Sequence, residues 1–210
     1  AKRPARPGAR ADCVRWKPPM RWYWIDRFLE FVSGSHAVTI KNVSLVEEQL
    51  ENYIPGHPLM PGSLNIEGFA QTGGLLVGEH GGFTKRVVLA KVSKAVFHEY
   101  AKPGDVLRYT CKMETFNDNG ATVNCVSHII GPTMPGEEPT EKLHIEADLM
   151  FGHVPPQPGM PDEMFEPQDF LTMVRIMGMY DVLVDADGNP KPPPPHLLDA
   201  ERDNLAEYVR

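Results

Sequence analysis

The sequence predicts an α+β fold in which antiparallel strands surround one long helix. Two patterns carry this expectation. From Ser63 to about Gly78, Leu64, Phe69, Gly73, Leu76 and Val77 recur at helical spacing and give one apolar stripe. From Leu107, the residues Leu107, Tyr109, Cys111 and Met113 alternate with Arg108, Thr110, Lys112 and Glu114, the period of a strand with one wet face. Further short apolar runs bounded by turn residues flank both patterns, so many strands accompany a single long helix.

Ala1 to Pro19 carries Lys2, Arg3, Arg6, Arg10, Arg15 and Lys17 among prolines with few apolar residues, a composition expected to lack intrinsic order. No apolar core follows these charges, so the segment does not read as a secretory signal. Met20 to Val32, rich in Trp and Phe, leads into the first strand, and Val38 to Val43 reads as the second. An acidic connector through Glu47, Glu48 and Glu51 then reaches a stiff loop. There Pro55, Pro58 and Pro61 fix φ while Gly56 and Gly62 permit sharp turns or close approach. Ser63 is the expected N-cap of the helix, and Glu67 and Gln71, at i and i+4, share a second stripe on it.

After Gly81-Gly82, Val87 to Phe97 reads as a strand. Asp118-Asn119-Gly120 turns the 107–114 strand into Val123 to Ile130. A proline-glycine insertion spans Gly131 to Thr140, and Leu143, Ile145, Ala147 and Leu149 mark the last strand. Beyond Gly152 the composition changes. Pro155, Pro156, Pro158 and Pro161 form a stiff linker, Pro167 to Tyr180 offers a short amphipathic helix, Pro192 to Pro195 suit polyproline II, and Leu198 to Val209 a closing helix. The expected organisation is a basic segment at 1–19, a folded domain at 20–152 and a proline-rich, partly helical extension at 153–210.

Tyr53 to Gln71 reads Y-I-P-G-H-P-L-M-P-G-S-L-N-I-E-G-F-A-Q. It resembles the active-site signature of the 3-hydroxyacyl-[acyl carrier protein] dehydratases, H-F-P-x-x-P-V-M-P-G-V-L-x-x-E-A-x-A-Q, in register from Pro55 to Gln71. Ile25 to Glu30, Ile40 to Val43, Leu89 to Ala95 and Pro103-Gly104-Asp105 resemble family segments in the same order, so the likeness spans about Trp22 to Met150. The resemblance implies a hotdog fold, in which the antiparallel sheet wraps the central helix. It also implies loss of water from 3-hydroxyacyl thioesters of acyl carrier protein or coenzyme A to give trans-2-enoyl thioesters, as in fatty-acid biosynthesis. A cytoplasmic homodimer follows from it, with a trimer of dimers as the larger assembly, and no cofactor is called for.

Carried onto this chain, the resemblance makes Glu67 the catalytic carboxylate, and Gly62, Ser63, Gln71, Pro61 and Met60 the substrate-binding positions. Where the family has its histidine, two residues before the first proline, stands Tyr53, followed by Ile54. Chemistry α to a thioester needs a base and an acid. A phenol titrating near 10 is ionised to about one part in a thousand at pH 7, a handicap of roughly 4 kcal/mol for a base. Tyr53 suits proton or hydrogen-bond donation with Glu67 as base, and His57, in the same loop, is the other candidate for the vacant role. Two alternatives remain: a hotdog thioesterase driving water onto the carbonyl with Glu67, and a non-catalytic acyl-binding or scaffolding subunit.

Composition excludes other classes. In 210 residues, 41% hydrophobic and 23% charged, no apolar run is long enough to span a membrane, and a net charge of −7 disfavours nucleic acid. An acidic carrier would need a local basic patch, for which Lys85, Arg86, Lys91, Lys94, Lys102 and Arg108 are available. Cys13, Cys111 and Cys125 form no C-x-x-C pair, and the last two are expected on neighbouring strands facing the core. The histidines lack metal-ligand spacing, and Asp185 to Asn189 is a turn rather than a calcium loop. The stripe Phe170, Met173, Met177 and Tyr180 is soft enough to line an acyl tunnel but reads more simply as a helix docked on its own subunit.

Overall fold

A computed structural model describes residues 23–51, 53–131, 140–155 and 167–208. In chain order the elements are β1 (Arg27–Val32), β2 (His36–Asn42), α1 (Glu48–Glu51), α2 (Gly62–His80), β3 (Arg86–Phe97), β4 (Val106–Asn117), β5 (Gly120–Ile130), β6 (Glu141–Val154), α3 (Pro167–Ile176), α4 (Met179–Val182), β7 (Leu183–Val184) and α5 (Pro195–Tyr208). The strands form one sheet in the order β3-β6-β5-β4-β2-β1-β7. Every pairing is antiparallel except that of β1 with β7. The basic segment at 1–19 and most of the expected linker lie outside the described residues.

The alternation read in the sequence decides which face of the sheet meets α2. Leu107, Tyr109 and Cys111 of β4, Val123 and Cys125 of β5, and Leu149 of β6 are buried with Phe69, Leu76 and Val77 of α2. Close approach of helix and sheet depends on small residues: a Cβ at Gly68 would lie 2.5 Å from the Tyr109 ring. The Cys111 and Cys125 thiols face each other directly across the β4–β5 pair, their sulfurs 3.3 Å apart, and burial raises the pKa of Cys111. Both therefore behave as small core residues.

Three expectations needed correction. The helix begins at Gly62 with Pro61 as N-cap and no side-chain cap, while Ser63 is exposed. Pro61 supplies an extended ψ of 132° and a carbonyl that accepts from Leu64, so the loop's own stiffness starts the helix. The helix also runs past Gly78 to His80, where Gly81 and Gly82 return N–H bonds to Val77 and Glu79. The stripe expected as one helix to Tyr180 breaks at Gly178, whose φ of 68° is the left-handed conformation open to glycine, and continues as α4 and β7.

The extension packs on the body. Phe170 and Met177 are buried, and Phe83 stacks edge-on against Phe170 at 4.9 Å between centroids. Lys191 ties this tail to the far end of α2: its Nζ lies 2.5 Å from Glu79 Oε1 and donates to Ser33 Oγ at 3.0 Å. Glu79 is 4% exposed. Among the described residues, neither its Oε2 nor the buried Tyr180 hydroxyl has a hydrogen-bond partner. Burial, with Glu79's charge adding, pushes the Tyr180 phenol up.

Candidate functional site

The stiff loop delivers the chain to α2 through backbone bonds. His57 N–H donates to the Ile54 carbonyl, and Met60 N–H to the Ala101 carbonyl at 2.8 Å. Met60 and Pro61 are buried, so they anchor the loop from beneath. The first amides of α2, those of Gly62 and Ser63, have no intrahelical acceptor and sit at the positive end of the helix dipole. Phe97, at the end of β3, lies against Gly62: a Cβ there would come within 2.7 Å of the Phe97 ring. Glycine at 62 thus lets an aromatic ring rest on the helix start beside its first amides.

Glu67 is half-buried on the second turn. Its Oε1 accepts from Gln71 Nε2 at 2.9 Å, and Gln71 Oε1 accepts the Trp24 backbone N–H at 2.9 Å. A second buried chain starts from the same residue. Trp24 Nε1–H donates to the Tyr109 hydroxyl at 3.4 Å, Tyr109 donates to Asn65 Oδ1 at 3.1 Å, and Asn65 Nδ2 donates to the Pro61 carbonyl at 3.3 Å. Tyr109 is fully buried, which holds its phenol well above the usual range and keeps it a neutral donor. Gln71 therefore faces Glu67 and Trp24, in addition to any role toward substrate.

Tyr53 and His57 stand apart. Tyr53 is 48% exposed and His57 is exposed, and no hydrogen bond or ion pair among the described residues joins either side chain to Glu67. Within one chain the loop and the helix carboxylate are not assembled into a pair. The basic residues are dispersed as well: Lys85 pairs with Asp118 at 3.0 Å and Arg108 with Glu141, whereas Lys91, Lys94 and Lys102 remain exposed. No group of three or more His, Cys, Asp or Glu among the described residues could hold a metal ion.

The sequence did not single out Trp24, Asn65, Tyr109 or Phe97. A buried asparagine one turn into a helix, beside a glycine that admits a tyrosine ring, was the available signal.

Residues 18–130 match the model of the FabA-like domain. The 3-hydroxyacyl-[acyl-carrier-protein] dehydratase FabZ of Desulforamulus reducens is 36% identical over 128 residues, 60% of this chain and 83% of that protein. FabZ of Acidiphilium cryptum is 40% identical over 110 residues, 51% of this chain and 67% of its own length. Among solved structures, a Streptococcus mutans protein bound to acetyl CoA is 13% identical with a TM-score of 0.49, over 65% of this chain and 94% of that one. With the proline-glycine loop, the helix carboxylate and the sheet wrapped around α2 in place, the chain belongs to the FabA-like family that includes the FabZ dehydratases.

Proposed function

We propose that the protein dehydrates 3-hydroxyacyl thioesters, carried on acyl carrier protein or coenzyme A, to trans-2-enoyl thioesters, with Glu67 as the acid–base carboxylate. The observation that carries this is Glu67 itself: a half-buried carboxylate, held by Gln71, one turn beyond the first amides of α2 at Gly62 and Ser63. A thioester oxygen hydrogen-bonded to those amides gains stabilisation as negative charge develops on it, which acidifies the α-proton. Glu67 takes that proton, the C–O bond to the 3-hydroxyl breaks as the double bond forms, and the hydroxyl leaves as water on receiving a proton. Tyr53 serves as the proton or hydrogen-bond donor, with His57 the competing group of the same loop.

The family likeness implies a homodimer whose sites lie where the loop of one protomer meets α2 of its partner, and the separation of Tyr53 and His57 from Glu67 within one chain supports that arrangement. The exposed β3 edge is the surface for that pairing. A carrier protein would dock through exposed lysines, of which Lys91, Lys94 and Lys102 are unencumbered by ion pairs among the described residues.

The test is incubation of purified protein with a 3-hydroxyacyl carrier-protein thioester, following enoyl product and free thiol by mass spectrometry. Enoyl product, abolished by Glu67→Gln in a protein that keeps its melting temperature, is the expected result. A second reading, thioester hydrolysis, is favoured by the lack of histidine at position 53 and predicts free thiol without enoyl product. Tight carrier binding with neither product would mark a non-catalytic acyl-binding subunit and end the dehydratase reading.

A further inference from the structure

Trp24 lies outside every helix and strand, just before β1, yet both hydrogen-bond chains beneath the site begin on it. Its backbone N–H reaches Glu67 through Gln71. Its indole N–H reaches the Pro61 carbonyl through Tyr109 and Asn65. The ring is 1% exposed, with Lys41 Nζ 4.7 Å from its centroid, so the residue cannot shift without opening the core. We propose that Trp24 is a positioning residue that holds the Glu67 carboxylate and the start of α2 in one fixed relation, acting through Gln71 on one side and Tyr109 and Asn65 on the other.

The chemistry of the amide gives the arrangement its direction. A primary amide offers one accepting oxygen and one donating NH2. The Trp24 N–H claims the oxygen of Gln71, so the NH2 end must face Glu67, where it can only donate. That holds Oε1 of the carboxylate and directs the remaining oxygen away from the amide. The second chain fixes Pro61, whose carbonyl accepts the first intrahelical bonds, and with it the direction of the Gly62 and Ser63 amides. Misplacing a reacting group by about 1 Å can cost about a hundredfold in rate, so a common anchor for carboxylate and amides matters to turnover more than to binding.

This inference rests on the dehydratase reading, and the experiment separates the two. In Gln71→Leu, kcat should fall roughly tenfold to a hundredfold while KM stays within about a factor of two. Exchange of the Trp24 backbone amide, followed by NMR, should accelerate in the same variant. Trp24→Phe, which keeps the ring volume and the backbone N–H, should lower kcat by a smaller factor and leave the amide at position 24 protected. A raised KM with kcat intact in Gln71→Leu would show Gln71 binding substrate directly and overturn the proposal, as would unchanged kcat in both variants. Should the native protein form no enoyl product, the dehydratase reading falls by itself. The carboxylate 13C shift of Glu67 then decides the positioning role: a change in both Gln71→Leu and Trp24→Phe supports it, and no change in either overturns it.

Discussion

The two edges of the sheet are treated in opposite ways. At one edge, β1 is covered: Phe28 N–H donates to the Met177 carbonyl, Ser33 N–H donates to the Val184 carbonyl, and β7 pairs in parallel along Phe31 and Val32. At the other edge, β3 pairs among the described residues with β6 alone, its register shifting at Ala90 and Ser93, and Leu89, Val92 and Phe97 are 38%, 39% and 47% exposed. A long, apolar, unpaired edge is an invitation to further pairing, and proteins usually blunt such edges. Among the described residues, the chain covers one edge with its own tail and leaves the other unpaired beside Gly62 and the start of α2. A second copy meeting β3 with β3 would bury that edge through an isologous interface.

The largest expected effect comes from spoiling the open edge. Leu89→Glu with Val92→Glu places like charges along β3, and its mass by light scattering should fall to that of a monomer with dehydration lost. A native-sized, active double variant would break the assignment of β3 as the assembly edge.

Acid should weaken the β3 side next. His144 on β6 is buried against Ser127, and its carbonyl accepts the His98 N–H just beyond β3. Burial, with His128's charge adding, lowers its pKa to about 4 from the usual 6.5. The unfolded chain therefore takes up the proton first. This contribution to stability is complete above pH 6.5 and is lost as pH falls toward 4, up to about 3 kcal/mol. Thermal unfolding from pH 7 to 4.5 should show the decline, and His144→Gln should flatten it; an equally steep profile in the variant would rule His144 out as its source.

The covered edge is held in part by one half-buried lysine. Lys191→Met removes the partner of a buried carboxylate, but 40% of the lysine side chain is in water, so about 1–3 kcal/mol is expected rather than the full cost for a buried pair. Urea unfolding measures it, and faster amide exchange at Val184 would locate the loss at the tail. No change in either would mean that β7 stays docked without the ion pair.

Periodicity made most of the wrapped sheet readable. Leu107 to Met113 show their face directly, and Ser63 to Gly78 contain nearly all of α2, because one-sided burial forces a regular apolar pattern. What stayed hidden was polar and non-local. Asn65, Thr72 and Glu79 lie buried on α2 and meet Tyr109, Thr39 and Lys191, residues 44, 33 and 112 positions away. Such pairs leave no periodic trace. β7 was illegible for a different reason: a two-residue strand is defined by its partner, not by its own pattern. Glu67 and Gln71 were readable as neighbours from i, i+4 spacing, whereas Trp24 as their anchor required the fold.

The Pro61 cap has an evolutionary consequence. A helix start written in proline, glycine and backbone carbonyls does not depend on the side chain at position 63, nor on the one at 53. Residues that would tune the chemistry can drift while the amides that would hold a carbonyl stay put. A lineage built this way can trade one reaction for another, or shed catalysis and keep recognition, without first having to rebuild its scaffold.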